Sequence, residues 1–164
     1  MKVYHGSIVE VKTPLVGVGR PKLDFGKGFY VTDLKEQAVS WASRPSNIDK
    51  PQILNVYEFD KDEVLASNCK YLYFEHYDGE WLDYVVANRR GEDLWKDYDI
   101  VEGGIANDNV FNTIELYTAE LISREEALKR LQYEKPNNQI CILKQSIIDE
   151  HLHFVQSVKI KQES

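Results

Sequence analysis

The sequence predicts an α+β fold, and three observations carry that expectation. Short runs rich in Val, Ile, Tyr and Phe, such as Gln52 to Asp60 and Gln139 to Leu143, have the composition of strands. Longer stretches repeat apolar residues at helical spacing, as at Trp81, Tyr84 and Val85. The two kinds follow one another as β, β-α, β, α, β, α, α, β, β, which lacks the βαβ rhythm of a parallel sheet. The 164 residues, 43% of them hydrophobic, suffice for one core, so a single domain over residues 1–164 is expected.

Taken in order, Lys2 to His5 reads as a first strand. Gly6 to Lys22 carries Pro14, Gly17, Gly19 and Pro21 and reads as an irregular loop. Phe29 to Thr32 is a second strand. A helix from Leu34 to Ser43 follows, with Asp33 as cap, Glu36 completing a capping box, and Leu34, Ala38, Trp41 and Ala42 on one face. Gln52 to Asp60 and Tyr71 to Phe74 are strands. Glu80 to Asn88 is a helix stopped near Gly91, and Tyr98 to Val101 is a strand before Gly103-Gly104. Helices are expected over Asn109 to Glu120 and Ser123 to Tyr133, the second opened by the capping box Ser123-Arg124-Glu125-Glu126. Gln139 to Leu143 and His153 to Ile160 are the closing strands.

Bulk properties narrow the function. A net charge of −7 disfavours stable DNA binding, which draws on a basic surface. The tight basic pair Arg89-Arg90 equally suits a helix C-terminus. Cys69 and Cys141 are isolated, so a reducing compartment is expected. The start MKVYHGSIVEV lacks a signal-peptide core, and no apolar run reaches the ~18 residues of a membrane span. A cytoplasmic protein with no membrane partner is the resulting expectation.

Two segments stand out chemically. Tyr4-His5-Gly6-Ser7 places an imidazole, an open backbone and a hydroxyl in succession. Read alone, it is a His tied into a loop or a ligand contact. Asp24-Phe25-Gly26-Lys27-Gly28-Phe29-Tyr30-Val31-Thr32 sets two glycines and a cation before a strand, which suits a tight turn or a close approach of backbone to ligand. Tyr30 and Trp41 offer flat faces that could clamp a planar heterocycle, although an aromatic on a helix face is usually core. Other patterns lead nowhere. His151 and His153 lack a third ligand nearby in sequence, so no metal is expected. Gly26-Lys27-Gly28 is not a P-loop, Gly17-x-Gly19 is not a dinucleotide fingerprint, and neither cysteine has an evident activating partner.

With His5-Gly6-Ser7, Gly26 to Tyr30 and an aromatic eleven residues after Tyr30, the chain resembles the NAD-binding half of the ADP-ribosyltransferase superfamily. The likeness is to the branch of diphtheria toxin and the poly(ADP-ribose) polymerases, which carries a His-Tyr-Glu triad. Over nearly its whole length it also resembles a small bacterial domain family of unknown function thought to belong there. The segments behind that likeness include GGIANDNVF at Gly103 to Phe111 and NQICIL near the end. The resemblance implies a split, twisted, mainly antiparallel β core with flanking helices, and NAD as substrate. It implies that His5 binds the adenosine ribose, Gly6 holds the nicotinamide carboxamide through its backbone, and Ser7 assists at the ribose. Tyr30 would stack under the nicotinamide, Trp41 would cover its other face, and Lys27 and Gly28 would flank the same site.

At the third triad position the chain departs from the pattern: Gln139, within Asn137-Asn138-Gln139-Ile140-Cys141-Ile142, stands where the Glu would be. A carboxylate there opposes the positive charge that grows on the ribose as the nicotinamide bond breaks. Losing it costs on the order of 10²–10³ in rate. Polymer elongation is therefore not expected, whereas single-unit transfer to a protein, nucleic acid or small molecule is. Asp108, either a helix N-cap or a site residue, and Glu134, on the loop where the family often recognises acceptors, are candidate substitutes. Glu102 and Asp24 are further options. The resemblance also implies a toxin held by an antitoxin partner, or a role in phage defence. The rivals are an NAD-sensing module, an NAD glycohydrolase, and an interaction domain that kept the fold but lost the pocket.

Overall fold

The β-prone runs separate into two sheets in the computed structural model, which describes residues 1–18 and 23–160. The part of the expected loop from Gly19 to Lys22 lies outside the described residues. In chain order the elements are β1 (Lys2–Ser7), β2 (Phe29–Val31), α1 (Lys35–Ala42), β3 (Ile53–Phe59), α2 (Lys61–Ala66), β4 (Tyr71–Tyr73), α3 (Gly79–Arg89), β5 (Ile100–Gly103), α4 (Asp108–Thr118), α5 (Arg124–Leu131), β6 (Gln139–Ile142), α6 (Gln145–His151) and β7 (Leu152–Lys159). Short 3-10 turns lie at Pro45–Asn47 and Leu94–Asp97. The class is α+β. Among the described residues, no helix is long and apolar enough to cross a membrane.

The first sheet has the order β1-β3-β7 and the second β2-β6-β5-β4. All pairings are antiparallel except β4 with β5, whose connection runs through α3, so one βαβ crossover is present after all. Among the described residues, the sheets meet at a single bridge. Tyr4 N–H donates to Thr32 O at 2.8 Å, and Thr32 N–H donates to Tyr4 O at 3.0 Å. Beyond it the strands diverge.

What holds the two sheets together is a shared apolar layer. Val3, Tyr57 and Phe59 of the first sheet pack with Phe29, Val31, Ile100, Ile140 and Ile142 of the second, all buried. Each such side chain contributes roughly 1.5–3 kcal/mol. On the other face of the second sheet, Trp81, Leu82, Tyr84, Val85 and Val86 of α3 pack with Phe25, Phe74, Val101 and Cys141. α3 is buried around most of its circumference rather than along one stripe, so it is a core helix.

Several local expectations change. α1 is not capped by Asp33: its first turn has no side-chain cap, and Thr32 Oγ1 accepts from Leu34 N–H at 3.1 Å instead. Asp78, unmarked in the sequence reading, caps α3 through Trp81 N–H at 3.0 Å. At α5 the expected cap forms, with Ser123 Oγ accepting from Glu126 N–H at 3.1 Å. Arg89 and Arg90 do end a helix, as the last residue and C-cap of α3. The helices α2 and α6, of six and seven residues, were not anticipated. Elements that short are set by packing against neighbours and leave little periodicity to read.

Candidate functional site

Strand alternation explains what lies at the split. Tyr4 spends its N–H and C=O on Thr32, so these groups point away from β3. Gly6, two residues on and opposite Leu54 of β3, directs its N–H and C=O the same way, along the seam where β1 and β2 part. Had the ladder continued, Gly6 would face Tyr30. Instead the His5 side chain spans the gap, and its Nδ1–H donates to Tyr30 O at 2.7 Å. That bond places the proton on Nδ1 and leaves Nε2 as an acceptor. Burial lowers the His5 pKa below 6.5, so the ring is neutral at neutral pH. Phe29 packs against it with ring centroids 4.4 Å apart, and Trp41 meets it edge-on at 6.4 Å.

Asn55, fully buried on β3 opposite His5, steadies this strand. Its Nδ2 donates to His5 O at 3.3 Å and Val9 O at 3.2 Å, and its Oδ1 accepts from Val11 N–H at 2.8 Å. Ser7 keeps partial exposure at the end of β1, where its Oγ accepts from Val9 N–H at 3.4 Å.

The glycines have structural reasons of their own. A Cβ on Gly6 would lie 1.8 Å from Ala38 O, so α1 rests directly on β1. Gly26 has φ +112° and sits against Trp95, where a Cβ would approach Cγ at 2.3 Å. A Cβ on Gly28 would meet Ile142 O at 2.4 Å and Cys141 Sγ at 2.6 Å. The space that Gly26 and Gly28 leave on their Cβ side is filled by the protein itself. Lys27, between them, stays half-buried, and its carbonyl accepts from Gly17 N–H at 2.9 Å.

Tyr30 lies half-buried beside His5. Its hydroxyl donates to Gly26 O at 2.7 Å and accepts from Phe25 N–H at 3.2 Å, which fixes the ring. Burial, with Cys141 adjacent, raises its pKa well above 10. Burial also pushes the Cys141 thiol up to about 12, so neither group supplies an anion at neutral pH. Trp41 borders the His5 ring from α1.

Gln139 is buried on the same face of the second sheet as Tyr30 and diagonal to it, because Tyr30 pairs with Cys141. Tyr30 and Gln139 therefore share a face, whereas His5 reaches the Tyr30 backbone carbonyl and packs on Phe29, whose side chain lies on the opposite face. The Gln139 amide is committed, however. Its Nε2 donates to Gly104 O at 3.5 Å, a carbonyl shared with Trp81 Nε1–H at 3.3 Å. The carbonyl partner also decides which end of the amide faces it.

The alternative carboxylates are placed as follows. Asp108 is exposed as the first residue of α4, and Asn107, not Asp108, is the cap, accepting from Val110 N–H at 3.0 Å. Glu134 is half-buried on the loop before β6. Asp24 pairs with Arg89 at 2.7 Å, both side chains largely buried. Glu102, on β5 opposite Ile140, faces away from Gln139 and is neutralised by Lys61 at 2.5 Å. It also accepts from Tyr71 OH at 2.7 Å and from Asn138 Nδ2 at 3.0 Å. Lys61, Tyr71 and Asn138 carried no sequence signal for this network, since they come from α2, β4 and the loop before β6.

The absence of a third ligand for His151 and His153 is also corrected: Asp60 and Glu63 stand beside them. An Asp-x-x-Glu spacing at the start of a helix was the readable signal, but α2 itself was not foreseen. Two surface depressions, one lined by Asp49, Lys50, Gln52 and Lys159 and one by Arg90, Tyr117 and Arg124, include none of the triad-like residues.

A family model described as "Protein of unknown function (DUF3990)" matches residues 1–154. Comparison with the curated proteins and with the solved structures gives no match.

Proposed function

The chain belongs to the DUF3990 family, and from that premise we propose that it is a mono-ADP-ribosyltransferase that uses NAD to modify a protein, nucleic acid or small-molecule acceptor. One observation carries the reading: the two sheets part at Tyr4 and Thr32, and His5, the Gly6 peptide and the Tyr30 carbonyl gather at the opening. A seam edged by the Gly6 peptide suits an amide ligand, because a carboxamide offers the matching donor and acceptor. His5 Nε2 then accepts from a ribose hydroxyl, and the Tyr30 ring supplies an uncharged stacking surface. Trp41 borders the His5 end. Without a carboxylate at position 139, the charge that develops on the ribose is opposed only by dipoles, so transfer is slow and stops at one unit. An antitoxin partner fits the same reading.

A second reading has its own support. Gln139 is tied to Gly104, while Asp24 and Glu102 are each held in an ion pair. A site in which those two carboxylates are engaged is suited to binding NAD without cleaving it. Incubation with NAD labelled in its adenylate half separates the cases. Label on a macromolecule supports transfer, free ADP-ribose supports hydrolysis, and a thermal shift alone supports sensing. The proposal fails if millimolar NAD neither raises the melting temperature nor perturbs the His5 ring resonances.

A further inference from the structure

We infer that Asp60, Glu63 and His151 form a binding site for a first-row divalent metal ion, zinc being the best match. Carboxylate oxygens of Asp60 and Glu63 and a ring nitrogen of His151 all lie within 4.8 Å of one another. In a tetrahedral zinc shell with bonds of ~2.1 Å, donors sit roughly 3.4 Å apart. Small rotations of Asp60 and Glu63, whose side chains are 41% and 73% exposed, would close that difference.

A second observation points to a ligand. His151 Nδ1 is shut off from solvent and has no hydrogen-bond partner, and Glu63 Oε2, at 3.9 Å, is too far to serve. An orphaned buried nitrogen costs about 1–3 kcal/mol, which coordination would offset. Charge agrees as well, because two carboxylates and a neutral imidazole balance a dication. Imidazole favours zinc and its transition-metal neighbours over magnesium or calcium.

The backbone holds the donors in place. Phe59 pairs with Leu152, and Asp60 N–H donates to His151 O at 3.0 Å. Asp60 directly precedes α2, with no capping bond from its side chain, and Glu63 lies three residues on, while His151 ends α6. The start of α2 opposes a cation and the end of α6 favours one, so the side chains set the balance. His153 Nε2 hydrogen-bonds Asp60 Oδ2 at 3.0 Å and acts as a positioning residue. Three protein donors leave a fourth position to water.

This site is separate from the seam at His5, and its test does not depend on NAD. The full chain carrying Cys69→Ser, which removes the half-buried free thiol, is titrated with zinc chloride by calorimetry and with cobalt chloride by visible spectroscopy. One equivalent of zinc should bind and raise the melting temperature. Cobalt should give visible bands without sulfur charge transfer. Glu63→Gln, at a side chain 73% exposed and so harmless to folding, should weaken binding at least about tenfold, as should His153→Gln. His151→Ala should abolish it. Absence of saturable one-equivalent binding, or binding unchanged in Glu63→Gln, overturns the inference even if His151→Ala fails to fold.

Discussion

An amide at position 139 faces a carbonyl that a carboxylate could not face. Gln139→Glu would set a buried negative charge against Gly104 O and should destabilise the protein by about 2–3 kcal/mol at neutral pH. The new carboxyl's folded pKa would be raised above its ordinary ~4.3, so the penalty is present at high pH. As pH falls through the folded value, the protonated group donates to Gly104 O and the gap to wild type closes. Urea midpoints of both proteins at about pH 7.5 and about 4.5 measure this, and a gap that widens in acid would refute it. His5 gives the opposite slope. Its folded pKa is below 6.5, so the unfolded chain takes up the proton first, and stability falls as pH drops below 6.5 towards the folded value. His5→Asn, whose Nδ2–H can replace Nδ1–H, should flatten that decline, as read from melting temperatures between about pH 7 and about 5. At this scale the sequence was informative about residue type. His5 and Tyr30 could be singled out by sequence because they stand in short strands near glycines, and Gln139 because the family resemblance assigns it the third triad position. Their hydrogen-bond partners could not, since Gly104 and the Tyr30 carbonyl are backbone groups that carry no letter code.

Helix α1 rests on β1 with no side chain between them at Gly6, so that contact cannot accommodate a methyl group. Gly6→Ala should cost about 3 kcal/mol or more by pushing Ala38 and α1 away, seen as a lower urea midpoint. A loss below about 1 kcal/mol would show that α1 shifts freely. Helix α3 secures the segment before β2 from its C-terminal end. Asn88 Nδ2 donates to Asp24 O at 2.9 Å, and Arg89 pairs with the Asp24 side chain. A double-mutant cycle of Asp24→Ala and Arg89→Ala should give a coupling of about 1–2 kcal/mol, above that of an exposed pair because both partners are largely buried. The bounds of β3, α3, α4 and β6 fall within one or two residues of the sequence reading, since the helices show their period and the strands their apolar, β-prone composition. α2 and α6 were not legible, and the donors they present at Asp60, Glu63 and His151 were hidden with them.

The two sheets share little backbone but a common apolar layer, so melting of either one strips cover from the apolar face of the other. Far-ultraviolet dichroism and tryptophan fluorescence should therefore report one coincident urea transition, Trp41 lying by the first sheet and Trp81 by the second. Two separated midpoints would show the sheets to be independent. The α+β class was readable from composition and element order, but the division into two sheets was not. It is decided by pairings such as β1 with β3 and β6 with β2, which join segments far apart in sequence, and by the halt in hydrogen bonding after Tyr4. The central strand of the first sheet also has a history during synthesis. β1 can flank it as soon as it leaves the ribosome, whereas its other neighbour emerges only after the residues from Asp60 to His151 have been translated. For that interval a hydrogen-bonding edge rich in Leu, Val and Tyr lies bare, open to chaperones or to other nascent chains. A message truncated before codon 152 would leave it bare for good, as a template for aggregation.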